Sequence, residues 1–278
     1  MSPARFAVGA LRLPKRGSAA SECEDAVAFH ATTHRAGGTG APIAIAVSDG
    51  ASESLLAKDW AHMLAHHLAH EAFSDPAVLE HDSPRYTETI VELKREWERH
   101  LAEHVRAREA SDRRIQWYEY PKLEAGASAT LLAFRLEASI GAGIGSWRAV
   151  AVGDTCLFQV RAGEIVRCFP LDRPEQFSRA PDLLRSRGPE TMHDRPHFAE
   201  GAYTRGDVFF LMTDAVARWF LHVAHTSTTD AFTSQVALLR AMCLEHDAPR
   251  LRAWTSAHQD AGCMQNDDIT CAFIGAGE

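Results

Sequence analysis

Four aspartates stand far apart in this chain, each beside a segment rich in strand-forming residues: Asp25, Asp49, Asp214 and Asp267. The clearest case is Ile43-Ala44-Ile45-Ala46-Val47-Ser48-Asp49-Gly50, an apolar run that stops at an acid followed by glycine. A carboxylate at the exposed end of a rigid strand has a fixed direction, which suits it to holding a metal ion. Glycine next to it lets the backbone come close enough to offer a carbonyl. Asp-Gly after an apolar run is also a common turn signal, and what sets this chain apart is that the pattern of acid beside strand recurs. Cys23-Glu24-Asp25-Ala26 opens a second β-prone segment, Val208 to Met212 runs into Thr213-Asp214-Ala215, and Asn266-Asp267-Asp268 precedes Ile269 to Ile274. Carboxylates gather where a cation offsets their repulsion, so convergence of these strand ends implies Mg²⁺ or Mn²⁺.

Other chemistries fit the sequence less well. The six cysteines (Cys23, Cys156, Cys168, Cys243, Cys263, Cys271) include no Cys-x-x-Cys pair, and none has an arginine six positions on, as a thiolate phosphatase needs. They read as buried or incidental thiols. His62, His66 and His70 fall four apart and two of them could share a zinc ion. No acid sits inside the repeat to act as general base, so they read as a solvated helix face. With 29 basic and 37 acidic residues the net charge is −8. There is no basic stripe with interleaved aromatics, so nucleic acid is not an expected partner. No apolar run reaches the roughly 20 residues that cross a bilayer, and Met1 to Gly17 lacks an apolar signal core. A soluble, cytoplasmic protein without membrane contact is expected.

The positioning elements follow from periodicity. Strands are expected at Arg5 to Leu13, Cys23 to Phe29, Ile43 to Ser48, Gly126 to Phe134, Trp147 to Val152, Cys156 to Val160, Ile165 to Phe169, Val208 to Met212 and Ile269 to Ile274. Tight turns at Gly153-Asp154-Thr155 and Arg161-Ala162-Gly163-Glu164 make the middle an antiparallel meander. Helices are expected at 52–73, 85–114 and 230–246, the first with Leu56, Trp60, Leu64 and Leu68 four apart. A glycine-rich loop lies at Gly37 to Gly40, and 170–204, with five prolines, reads as a long flap. Nothing splits residues 1–278, so one domain with a flap insertion at 170–204 is the simplest account.

Taken in order, Glu24-Asp25-Ala26, Val47-Ser48-Asp49-Gly50, Gly126-Ala127-Ser128-Ala129-Thr130, Val152-Gly153-Asp154-Thr155, Gly206-Asp207-Val208 to Thr213-Asp214, and Asp267-Asp268-Ile269-Thr270 resemble the metal-dependent protein phosphatase 2C family, in its bacterial serine/threonine phosphatase type. The resemblance runs from about Phe6 to Ile274. It implies an α+β fold, a four-layer αββα sandwich of two antiparallel sheets flanked by helices. It also implies two Mn²⁺ or Mg²⁺ ions that activate a water to hydrolyse phosphoserine and phosphothreonine. On this resemblance Asp49 bridges both metals, the Gly50 carbonyl binds one, and Asp214 and Asp267 complete the other's shell. Asp25, with Glu24 beside it, holds metal-bound waters, and Asp268 orients the turn. Asp49 and Asp25 are thus the expected catalytic pair. The partner is a phosphorylated protein whose serine/threonine kinase this enzyme opposes.

Several positions depart from the family pattern. Ala20 stands where an arginine often grips the phosphate, leaving Arg16, or Lys15, to reach in from the preceding turn. Ala215 replaces a glycine and strains the turn if positive φ is needed. Asp154 is either a ligand to a third metal or a turn residue, and Arg218 replaces its usual acidic companion. These departures keep two further readings open: a catalytically weak phosphatase-fold binding or regulatory module, and a metal phosphoesterase acting on a small molecule.

Overall fold

The protein is seen in a computed structural model that describes residues 6–31, 42–111, 114–137, 144–178, 180–188 and 194–277. In chain order, β1 (Phe6–Leu13), β2 (Ala26–Ala31) and β3 (Ile43–Ser48) precede α1 (Ala57–Ser74) and α2 (Arg85–Glu109). A short α3 (Tyr120–Ala125) leads into β4 (Ser128–Ala129), β5 (Leu131–Leu136) and β6 (Ile144–Val152). Next come β7 (Cys156–Arg161), β8 (Glu164–Phe169), β9 (Leu184–Arg185), β10 (His197–Thr204) and β11 (Val208–Met212). The last elements are α4 (Asp214–Thr226), α5 (Thr229–Glu245), α6 (Ala248–Asp260) and β12 (Ile269–Ala276).

Every residue of β3 is buried because both of its faces are covered. Ile45 and Val47 point between two sheets, where they join Leu132, Phe134, Trp147, Phe209, Leu211 and Ile274. Ala44 and Ala46 point the other way, toward Trp60, Ala61, Leu64, Ala65 and Leu68 of α1. Alanines on strand and helix alike let α1 lie close to the sheet. One sheet has the order β1-β12-β11-β7-β8 and the other β10-β6-β5-β3-β2, with antiparallel neighbours throughout. A third cluster, around Phe158, Phe210, Phe220, Leu239 and Phe273, seats α4, α5 and α6 on the first sheet. The layers are therefore helices, sheet, sheet, helices, the expected αββα sandwich. Among the described residues no helix is long and apolar enough to cross a membrane.

Several elements differ from the sequence expectation. α1 begins at Ala57 because Leu56 is held in the left-handed region at φ 63°, which interrupts any helix starting at 52. α2 ends at Glu109. The flap reading of 170–204 meets two strands: β9 pairs with β4, and β10 pairs along its length with β6 as an edge strand. α4 and α6 were not foreseen. α4 opens in a nearly continuous apolar run, Ala215 to Phe220, that hides its period, and α6 buries only Leu251 and Thr255. The glycine-rich loop at 37–40 lies outside the described residues.

Phe134 and Phe209 meet across the two sheets with ring centroids 5.2 Å apart, and both are fully buried. Phe209→Ala is expected to lower unfolding stability by about 3–5 kcal/mol in urea titrations. The half-exposed Phe29 provides the contrast: Phe29→Ala is expected to stay within about 0.5 kcal/mol of the parent.

Candidate active site

Antiparallel register brings the scattered acids to one edge of the sandwich. Ala26 of β2 pairs with Ser48 of β3, so Asp25 and Asp49 flank the same end of that sheet. In the other sheet Met212 of β11 pairs with both Cys156 of β7 and Cys271 of β12. Asp154 and Asp214 each lie two residues from that row and Asp267 four, at the same edge. Asp49, Gly50, Asp154, Asp214 and Asp267 accordingly line one open cavity of about 1120 Å³. Asp25 sits beneath it, fully buried.

Each acid is held by neighbours that the fold supplies. Asp25 Oδ2 accepts hydrogen bonds from the Thr270 hydroxyl at 2.7 Å and the Thr213 hydroxyl at 3.1 Å. The backbone N–H of Thr270 in turn donates to Thr213 Oγ1 at 2.9 Å. The strand end that carries Asp49 is locked to Thr130, whose N–H donates to the Asp49 carbonyl at 2.8 Å and whose Oγ1 accepts the Asp49 N–H at 3.1 Å. Thr130 Oγ1 also meets Thr155 Oγ1 at 2.6 Å, tying the Asp49 strand end to the Asp154 turn. Asp214 accepts from the Ala215 N–H at 2.6 Å at the start of α4. Ala215 is helical rather than at positive φ, so the strain expected there does not arise. Asp268, also buried, accepts the N–H groups of Lys15 and Glu24 at 2.7 Å each and so fastens the loops around Asp25.

The electrostatics follow from burial and crowding. Burial, followed by the charge of Asp268, pushes the Asp25 carboxyl up to about 7 despite its hydroxyl partners. Burial and the neighbouring Asp25, Asp214, Asp267 and Asp154 raise Asp49 well above the carboxylate range. Burial and then Asp214 lift Asp154 to about 7, and burial and then Asp267 lift Asp214 to about 6. Asp25 Oδ1 is buried with no hydrogen-bond donor.

These features fit a divalent cation. The donors are all oxygen, as hard cations prefer, and one buried carboxylate oxygen lacks a partner. Gly50 sits in a tight cradle, where a Cβ would come within 3.0 Å of the Glu24 and Ala57 carbonyl oxygens. Among the described residues, though, no three His, Cys, Asp or Glu side chains form a ready-made metal cage. The acids share a basin without closing around a point.

The expected phosphate ligand goes elsewhere. Arg16 Nη1 pairs with Asp260 at 2.8 Å and its Nη2 donates to the Ser256 carbonyl, so it faces α6 and does not line the cavity. Lys15 Nζ reaches Ser52 Oγ at 3.3 Å, and Ser52 bonds Glu24. Part of the expected flap does form a wall, through Phe177, Ser178, Ala180, Pro181, Leu183 and Arg185. That wall is fixed by Trp60 Nε1 donating to the Leu184 carbonyl at 2.8 Å and by the Arg185–Asp194 pair at 2.9 Å. The histidines of α1 lie outside the cavity: His62 stacks on His66, and His70 packs against His30. Sequence reasoning missed the supporting threonines 130, 155, 213 and 270. Their signal was present as hydroxyl residues beside the acids in Thr213-Asp214, Asp154-Thr155 and Asp268-Ile269-Thr270.

A family model described as protein phosphatase 2C matches residues 15–254, most of the chain, although the match ends before Asp267. No curated protein matches by sequence. Among solved structures, the photosystem II phosphatase PBCP is similar at 16% identity and a TM-score of 0.54, covering 98% of each chain. A bacterial serine phosphatase aligns at 10% identity and TM-score 0.54, over 99% of this chain and 98% of its own. The serine/threonine phosphatase Stp1 from Staphylococcus aureus aligns at 12% identity and TM-score 0.53, over 100% and 95%. Likeness at these identities is a likeness of fold.

The raised acids set the pH response of the chelated protein. Their folded pKa values lie above the ordinary 3.8, so the folded chain holds protons that the unfolded chain has released. Their contribution to stability is therefore lost as pH rises from about 4 through about 7. Histidines lowered by burial, such as His62 and His258, act in the opposite sense, so the comparison needs a variant. In EDTA, Asp25→Asn is expected to melt above the parent at pH 8, with the gap closing toward pH 5. An equal gap at both pH values would contradict the assignment of the strain to Asp25.

Proposed function

Since the chain belongs to the protein phosphatase 2C family, we propose that it is a metal-dependent phosphatase hydrolysing phosphoserine and phosphothreonine in proteins. The observation that carries this reading is the gathering of Asp49, Asp154, Asp214 and Asp267 around one open cavity, with Asp25 buried beneath. Asp25, Asp49, the Gly50 carbonyl, Asp214 and Asp267 would hold two Mn²⁺ or Mg²⁺ ions, with Asp154 available to a third. Such ions, when bound, neutralise the acids and lower the pKa of water for attack on phosphorus.

The protein's own share is positioning. Thr213 and Thr270 aim Asp25, Thr130 fixes the Asp49 strand end, and Asp268 holds the Lys15 and Glu24 backbones against the site. Because Thr270 sits on β12, and Thr130, Thr213 and Asp268 sit at strand ends of two packed sheets, the acids keep their relative places without a bound ligand. The wall of Phe177, Ser178, Ala180, Pro181, Leu183 and Arg185 closes one side and leaves the cavity open to a phosphorylated segment presented on a protein surface. Substrate choice is assigned to that wall, and a serine/threonine kinase supplies the phosphate to be removed.

A second reading, a binding module with little turnover, draws on the open spacing of the acids and the engagement of Arg16 with Asp260. Turnover assays separate the two. With Mn²⁺ the protein is expected to release phosphate from p-nitrophenyl phosphate and phosphothreonine peptides. Thr270→Val is expected to lower kcat/KM or metal affinity by about 10–100-fold, the usual cost of losing a partner that orients a ligand. Asp49→Asn is expected to exceed that loss and to abolish part of the Mn²⁺ uptake seen by calorimetry. Binding of phosphopeptide without phosphate release would favour the module.

A further inference from the structure

A phosphate monoester carries a charge of about −1.5 to −2 at pH 7, and the cavity it must enter is lined by Asp49, Glu53, Asp154, Asp214 and Asp267. Even with cations bound among the acids, the anion needs a positive group that is free to meet it. Three basic side chains line the cavity: Lys122, Arg185 and Arg218. Arg185 is spent on the buried Asp194, through bonds of 2.9 and 3.2 Å. Lys122 stands on α3, among residues 122–128 of the rim.

Arg218 is placed differently. It follows Asp214 by four residues in α4, so the two side chains share a helix face. Its charge acts on the Asp214 carboxyl. It is exposed, and among the described residues it has no ion-pair partner. Arg218 and Gln265 also line an adjoining cavity of about 500 Å³, with Trp219, His222 and Met264, so the guanidinium stands where two depressions meet. A planar guanidinium with several donors suits a phosphoryl group better than an ammonium does.

We propose that Arg218 is the side chain that binds the substrate's phosphoryl group, taking the part that Arg16, tied to Asp260, does not reach. The assignment rests on the phosphatase reading and deepens it. Phosphate enters the basin with its oxygens toward Arg218, and the residues flanking the phosphoamino acid extend past Gln265 into the adjoining depression.

The test compares Arg218→Ala, Arg218→Lys, Lys122→Ala and Arg16→Ala in the Mn²⁺-loaded protein. Two quantities are read: KM and kcat on a phosphothreonine peptide, and the affinity for inorganic phosphate, by competitive inhibition and by calorimetry. Arg218→Ala is expected to raise KM and weaken phosphate binding by about tenfold or more, the scale of one lost charged hydrogen bond. kcat is expected to hold within about threefold, the pattern of lost uniform binding. Arg218→Lys is expected to recover part of the loss. The proposal is overturned if Lys122→Ala or Arg16→Ala carries the defect instead. It is equally overturned if Arg218→Ala leaves phosphate binding intact and weakens only Mn²⁺ uptake, the behaviour of a counter-ion to the acids. A parent protein that binds phosphate through Arg218 yet turns over no phosphopeptide would retain the proposal and refute the hydrolase reading.

Discussion

Repulsion among carboxylates at one edge of the sandwich is the constraint around which the rest of this molecule is arranged. Unit charges a few ångströms apart, partly shielded from water, repel by several kcal/mol at the effective dielectric of a protein surface. Asp25, Asp49, Asp154 and Asp214 all register that cost, through carboxyls pushed upward by burial and then by neighbouring carboxylates, Asp268 in the case of Asp25 and Asp267 in that of Asp214. Such an arrangement persists only where the surrounding structure is rigid enough to hold it.

The rigidity comes from two sheets packed face to face, with helices sealing both outer surfaces. Phe134, Trp147, Phe209 and Ile274 fill the space between the sheets. The alanines of α1 and β3 allow a helix to lie close behind the strand that ends at Asp49. At the edge itself, the threonine hydroxyls convert strand register into side-chain direction. Thr130 joins the Asp49 strand end of one sheet to the Asp154 turn that leads into the other, and Thr213 and Thr270 reach Asp25 from that second sheet. Gly153, at φ 94°, supports this geometry, since a side chain there would collide with the Asp182 carbonyl oxygen.

Most strands could be read from composition because buried strands of β-branched and apolar residues stand out between glycine and acidic turns. β10 could not, because His197, Glu200 and Tyr203 lie on an edge strand with one solvated face and no clear alternation. α4 and α6 were hidden for opposite reasons: one is too apolar at its start to reveal a period, and the other is too polar to show a stripe. The charged segment after Asp82 was easier, since Ile90, Leu93, Trp97 and Leu101 keep a helical spacing and all are buried.

From sequence alone came the identity of the acids and the fact that each adjoins a strand, because residue type and local hydrophobic pattern are properties of short stretches. Family membership was also legible there, since the order of the motifs survives in the linear chain. Which basic side chains line the basin was decided only in three dimensions. Arg16 is near Asp25 in sequence but is drawn to Asp260 on α6, whereas Arg218, almost two hundred residues away from Asp25, stands over the acids. Long, flexible side chains settle according to the charges around them, and those charges arrive from strands and helices that only the folded sandwich brings together.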